Sequence, residues 1–154
     1  MMRKISLVNE HYYHIFNRGV DKRKIFLNQN DQYRFIHDLF EFNDMDAVIN
    51  VNRRVNITDG GETSISKTSI SKKSRKLLVD IIVFCLMPNH FHLILKQKKD
   101  NGITKFMRKL GTGYTMYFNK VCQRSGSLFE GAFKSRYIDN DEYLIHLSRY
   151  VHLN

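Results

Sequence analysis

Leu77-Leu-Val-Asp-Ile-Ile-Val-Phe-Cys-Leu86, turned by Met87-Pro-Asn89 into His90-Phe-His-Leu-Ile-Leu-Lys96, decides how this chain folds. Residues 77–86 are apolar except at Asp80, the pattern of a central strand buried on both faces. Pro88 and Asn89 mark a tight turn, so the two segments are expected to form a hairpin. Side chains alternate along a strand: Phe91, Leu93 and Leu95 share one face and suit a core, whereas His90 and His92 share the other.

Upstream, His11-Tyr-Tyr-His-Ile-Phe16 has the aromatic and β-branched character of a first strand. Asp31 is placed to cap a helix whose apolar positions are Phe35, Ile36, Leu39 and Phe40, and Ala47 to Val51 returns to strand character. Downstream, Ile103, Phe106, Met107, Leu110, Tyr114, Tyr117, Phe118 and Val121 form the stripe of one long amphipathic helix. Gly111 and Gly113 each cost such a helix about 1 kcal/mol relative to Ala, so a kink or break is expected there. Leu128 to Ile138 suits another strand, with Lys134 and Arg136 on one face, and Asn140 can cap a final helix that starts with acidic residues. The order β-α-β-β-β-α-β-α indicates an α+β fold, a ferredoxin-like antiparallel sheet with helices packed on one side.

With 154 residues and 42% hydrophobic content, the chain suits one core and a single domain over 1–154. Thr63-Ser-Ile-Ser-Lys67 repeats at once as Thr68-Ser-Ile-Ser-Lys72, within a polar stretch that reads as a mobile insertion at about 53–76. That stretch is either a solvated surface loop or a basic arm that touches phosphates. The net charge of +10 points to a polyanionic partner, nucleic acid first, although residues 53–76 carry half of it. No apolar run is long enough to span a bilayer and no signal-peptide pattern opens the chain, so a soluble cytoplasmic protein is expected. Cys85 and Cys122 lack zinc-site spacing and read as buried thiols.

Two imidazoles on one strand face can bind a divalent cation side by side, although such a pair also occurs as an ordinary surface or hydrogen-bonded feature. On the final helix His146, Tyr150 and Asn154 recur every four residues, which offers further ligands and a nucleophile. A tyrosine, with its usual pKa of about 10, needs a nearby cation to act as a nucleophile. The bland alternative is that Tyr143, Leu147 and Tyr150 simply pack on the sheet.

Five phrases, in order, carry a resemblance. They are Tyr13-His-Ile-Phe-Asn-Arg-Gly19, Met87-Pro-Asn-His-Phe-His-Leu-Ile94, Tyr114-Thr-Met-Tyr-Phe-Asn119, Gly126-Ser-Leu-Phe-Glu-Gly131 and Arg149-Tyr-Val-His-Leu-Asn154. Together they resemble the single-tyrosine HUH transposases, with the closest likeness to the REP-associated tyrosine transposases. The likeness spans nearly the whole chain outside about 53–76. It implies that His90 and His92 are the two HUH metal ligands, Asn154 the side chain completing the site, and Tyr150 the nucleophile, with Tyr114 its rival. The implied cofactor is Mg2+ or Mn2+. The implied reaction is cutting and rejoining of single-stranded, hairpin-forming DNA through a 5′-phosphotyrosine intermediate. Candidate DNA contacts are Arg18, Lys22, Arg23, Lys24, Lys105, Arg108, Lys109, Lys134 and Arg136. The resembling group differs in whether two chains share their active sites, so a homodimer stays open.

The resemblance departs at Asn154, where the family continues into proline and further residues, so either a truncated gene product or an expressed fragment is expected, with a last turn that frays. The main alternative is an inactive or domesticated hairpin-binding module of the same fold. An RNA-binding domain of ferredoxin-like fold is disfavoured by the lack of its glycine and aromatic signature.

Overall fold

A computed structural model of the chain describes residues 6–46 and 74–153. The strand expected at 47–51 and the repeat at 63–72 lie outside them, as do residues 53–73 of the expected insertion. The elements are β1 (Tyr12–Arg18), α1 (Gln29–Glu41), β2 (Val79–Met87), β3 (His90–Gln97), α2 (Gly102–Val121), β4 (Lys134–Ile138) and α3 (Asp141–Leu153). They form a four-stranded antiparallel sheet in the order β2-β3-β1-β4, the ferredoxin-like arrangement of an α+β fold. Among the described residues no helix is long and apolar enough to cross a membrane.

The 77–86 run is an edge strand, not the central one, and Ile82 and Phe84 stay exposed. The continuous apolar pattern has a different cause: the register shifts between Ile81 and Val83. Before this bulge Val79 and Ile81 face the main core; after it Val83 and Cys85 face the opposite side. One strand therefore feeds two cores without being flanked on both edges.

The main core lies under α1 and α2, where Phe35, Leu39, Phe106, Leu110 and Tyr114 meet Tyr13, Ile15, Phe91, Leu93 and Leu95. The expected packing of helices on one side holds for these two. The last helix departs from it, because Leu147, with Tyr143 and Leu144 beside it, packs on Val83, Ile94 and Ile138 on the opposite face. Asn140 caps α3 as expected, its side-chain oxygen accepting from the Tyr143 amide at 2.6 Å.

Three local expectations are corrected. The N-cap of α1 is Asn28, whose side chain accepts from the Asp31 amide at 3.1 Å; Asp31 instead reaches back to the Leu27 amide at 2.8 Å. In α1 only Phe35 and Leu39 of the apolar stripe are buried, while Ile36 and Phe40 are exposed and the Arg75 guanidinium lies 3.8 Å from the Phe40 ring centre. The strand expected over 128–138 is regular only from Lys134, since Gly131 adopts a left-handed φ of 69° and interrupts the extended backbone.

Nor is α2 broken at its glycines: it runs from Gly102 to Val121. Gly113 allows close approach of α1's end, for a Cβ there would lie 2.3 Å from Phe42 Cζ, whereas a Cβ at Gly111 would meet nothing within 4 Å. The two glycines should therefore respond oppositely to alanine. Gly113→Ala should destabilise by about 1–3 kcal/mol through overpacking. Gly111→Ala should stabilise by up to about 1 kcal/mol through helix propensity. Urea midpoints of the two variants check this, and equal shifts of the same sign contradict it.

Candidate metal and tyrosine site

β3 carries the site because it pairs on both edges, which fixes its side-chain directions. His92 stands opposite Phe16 of β1 and Cys85 of β2, and His90 opposite Arg18 and Met87. The preceding turn is held just as firmly. Gly19 and Ile25 donate backbone hydrogen bonds to the carbonyls of Asn89 and Pro88 at 2.9 and 2.8 Å.

The rings of His90 and His92 are 5.0 Å apart and nearly perpendicular. His90 Nδ1 lies 2.7 Å from the side-chain oxygen of Asn89. That oxygen only accepts, so Nδ1 carries the ring proton and Nε2 keeps its lone pair. His92 Nδ1 is also engaged, 2.9 Å from Nε2 of His14. Both strand histidines thus have Nδ1 engaged within the protein.

Sequence reasoning misses His14. It lies on β1, only 7% exposed, with its ring stacked on Phe16 at 4.9 Å and on His92 at 5.0 Å. Its sequence signals are its place in the Tyr13–Gly19 phrase and its shared parity with Phe16, and the parity gains meaning only once β1 is known to pair with β3. Burial, then the nearby His92 and Arg136, pushes its pKa down to about 4. Burial also lowers His90, and burial followed by the charge of His90 lowers His92. All three are therefore neutral at neutral pH, the form that offers a lone pair to a cation.

α3 brings Tyr150 to this group. Its ring stands edge-on to that of His92 at 6.4 Å, and the residue is 57% exposed. The rival Tyr114 is wholly buried in the main core, donates its hydroxyl to the Ile25 carbonyl at 2.6 Å, and has its pKa raised by that burial. His146 does not join the pair: its side chain is exposed and lies 3.9 Å from Glu142. Asn154 lies outside the described residues. Cys85, opposite His92, is half-buried and its thiol pKa is raised by burial, which disfavours a ligating thiolate; Cys122 is half-buried too. Among the described residues no group of three His, Cys, Asp or Glu side chains is arranged to hold a metal ion. The candidate donors for a divalent cation are the neighbouring rings of His90 and His92.

The basic candidates separate. Lys134 and Arg136 are exposed on β4, opposite Phe16 and His14, and share the histidine face. Lys22, Arg23 and Lys24 are exposed in the loop hydrogen-bonded to the Pro88-Asn89 turn. Lys105 and Arg108 are exposed on α2, across the sheet, and Arg108 lines a cavity of about 490 Å³ between α2 and residues 127–133. Two candidates are already engaged. Arg18 forms a two-pronged ion pair with Glu130, and Lys109 donates to the backbone carbonyls of Asp44 and Asp46.

The β2-β3 hairpin carries the histidine pair, and α3 brings a tyrosine over the same sheet face. The sequence profile of the IS200-like transposases matches residues 42–154, and the chain belongs to this family. Two solved structures share the fold. A REP-associated tyrosine transposase bound to a REP hairpin superposes with a TM-score of 0.61 at 13% identity, covering 100% of this chain and 72% of the other. A candidate transposase from Deinococcus radiodurans gives 0.51 at 9% identity, covering 99% and 97%. No protein of curated function matches the sequence.

The depressed His14 value has a consequence for the metal-free protein. The unfolded chain takes up the proton near the ordinary value of 6.5, the folded chain only near 4, so stability is full above pH 6.5 and falls as pH drops toward 4. The His14 share is on the order of 3 kcal/mol. His14→Phe should flatten this part of the profile, read as urea midpoint against pH, and an unchanged acid limb contradicts the assignment.

Proposed function

We propose that this transposase is a divalent-metal-dependent enzyme that cuts and rejoins single-stranded DNA, with Tyr150 as nucleophile. The observation that carries the proposal is the meeting of Tyr150 with His92 on the sheet face that also carries His90, where both histidines have Nδ1 engaged. His90 and His92 would hold the metal, which when bound supplies Lewis acidity toward a phosphate oxygen. Two neutral imidazoles suit Mn2+ better than the harder Mg2+, so both belong in the test.

The Tyr150 hydroxyl oxygen attacks the phosphorus in line as its proton passes to solvent. The new O–P bond forms as the P–O3′ bond breaks, and the departing 3′ oxygen takes up a proton. The chain is left joined to the 5′ phosphate. A second DNA 3′-hydroxyl can reverse the exchange without ATP, because the phosphodiester is replaced by another ester and not hydrolysed. The exposed position of Tyr150 supports this role, as does the burial of Tyr114, which keeps that rival hydroxyl from any phosphate.

DNA that folds into hairpins is the proposed partner. This rests on the family, on the REP hairpin bound by the similar transposase, and on Lys134 and Arg136 beside the histidines. Phosphate contacts from these two residues would hold the backbone across the site without reading sequence.

The test is incubation of the full chain with labelled hairpin DNA and Mn2+ or Mg2+, followed by a denaturing gel. A metal-dependent covalent adduct is expected, absent in Tyr150→Phe and retained in Tyr114→Phe wherever that variant folds. His90→Ala and His92→Ala should each lower adduct formation by about two orders of magnitude, the scale of several kcal/mol of charge stabilisation. Hairpin binding with no adduct under any metal sinks the enzyme reading in favour of a binding module. In native gels, removing Lys134 and Arg136 together should weaken hairpin binding and make its salt slope shallower by about 0.7–0.9 for each phosphate that is no longer neutralised. Lys109→Ala should cost stability and leave binding unchanged.

A further inference from the structure

We propose that His14 is a positioning residue of the metal site, its Nε2 accepting the Nδ1 proton of His92 so that His92 turns its Nε2 lone pair outward beside that of His90. The inference rests on the reading of His90 and His92 as ligands and adds the residue that makes His92 competent.

The hydrogen bond between the two imidazoles at 2.9 Å holds a single proton, so one ring donates and the other accepts. If His14 donated, the proton of neutral His92 would sit on Nε2 and block the position a metal needs. If His92 donates, Nε2 is free. The companion ligand is set the same way, since the Asn89 oxygen at 2.7 Å accepts from His90 Nδ1. His14 then does for His92 what Asn89 does for His90. Ligating histidines commonly have their second nitrogen fixed in this manner, which sets both tautomer and ring orientation.

Three features make His14 suited to positioning. It is 7% exposed, so water competes poorly for the bond. Its ring lies within a stack, 4.9 Å from Phe16 and 5.0 Å from His92, which limits rotation of both histidines. Its position is set by the sheet itself, for on β1 it stands opposite Ile94 on one side and Arg136 on the other. His14 is not a third ligand: its bonded nitrogen and that of His92 point at each other and not toward a common third point.

The experiment combines two readouts on the full chain. Long-range proton–nitrogen NMR of the metal-free wild type reports the His92 tautomer and needs no variant; the proton is expected on Nδ1, and a proton on Nε2 overturns the inference. Calorimetric titration with MnCl2 then compares His14→Phe, which keeps the stack and loses the acceptor, with His14→Gln, whose amide oxygen restores one. The Phe variant should bind Mn2+ about 10- to 100-fold more weakly. The Gln variant should recover most of that loss. Loss of binding in His90→Ala but none in His14→Phe overturns the inference alone. Wild type that takes up no Mn2+, or binds it equally well as His90→Ala, overturns the metal reading and this inference with it.

Discussion

The arrangement depends on β3 being paired along both edges. Backbone hydrogen bonds to β1 and β2 fix where each of its side chains points, and strand parity then divides them. Phe91, Leu93 and Leu95 enter the main core with no exposure beyond 2%, while His90, His92 and Ile94 face α3. The histidines cannot leave their face without withdrawing three aromatic and aliphatic anchors from the other. Each such anchor is worth roughly 1.5–3 kcal/mol of burial, so the core itself holds the geometry of the histidine pair.

The two faces differ in how strongly they are built. Below α1 and α2 the core is broad and rich in aromatic contacts, including Phe35 edge-on to Tyr114 at 5.0 Å and Phe91 edge-on to Phe129 at 5.8 Å. Below α3 the buried apolar set among the described residues is Val83, Ile94, Ile138 and Leu147. The element that brings the tyrosine thus rests on a few apolar contacts, whereas the element that brings the histidines is the most constrained in the molecule. Regions with few buried apolar contacts open at lower free energy than the core around them. Such a division leaves the helix that carries Tyr150 easier to displace than the histidine pair.

How much is legible in the sequence follows from which features are local. Alternation in 90–96 is local, and it places His90 and His92 together and Phe91, Leu93 and Leu95 inside. The cap at Asn140 and the stripe of α2 are local too; the cap appears, and the stripe is buried from Ile103 to Phe118 with Tyr117 only partly covered, while its last expected member, Val121, is exposed. The edge position of β2 is not legible, because a bulge between Ile81 and Val83 makes an apolar run look like a strand buried on both sides. The continuity of α2 through Gly113 escapes for a similar reason. Propensity counts the entropy cost of that glycine and is blind to Phe42, which packs where a Cβ would stand. The stripe His146, Tyr150 and Asn154 reads as one face, yet a period of four drifts around a helix of about 3.6 residues per turn, and His146 faces solvent.

His14 exposes the same limit from the functional side. It lies in one of the phrases that carry the resemblance, yet no role follows for it there, and its neighbours Tyr13 and Ile15 belong to the opposite core. Its importance comes from a partner 78 positions away, brought to 2.9 Å by strand pairing. An apolar ring would fill the same stack on Phe16 at no desolvation cost, and the burial that drives the His14 pKa down to about 4 shows how unfavourable a charge there would be. What an imidazole adds at that position is a neutral nitrogen aimed at His92. A buried polar group is tolerated when its hydrogen bond is made, and here the bond that satisfies His14 is the one it shares with His92.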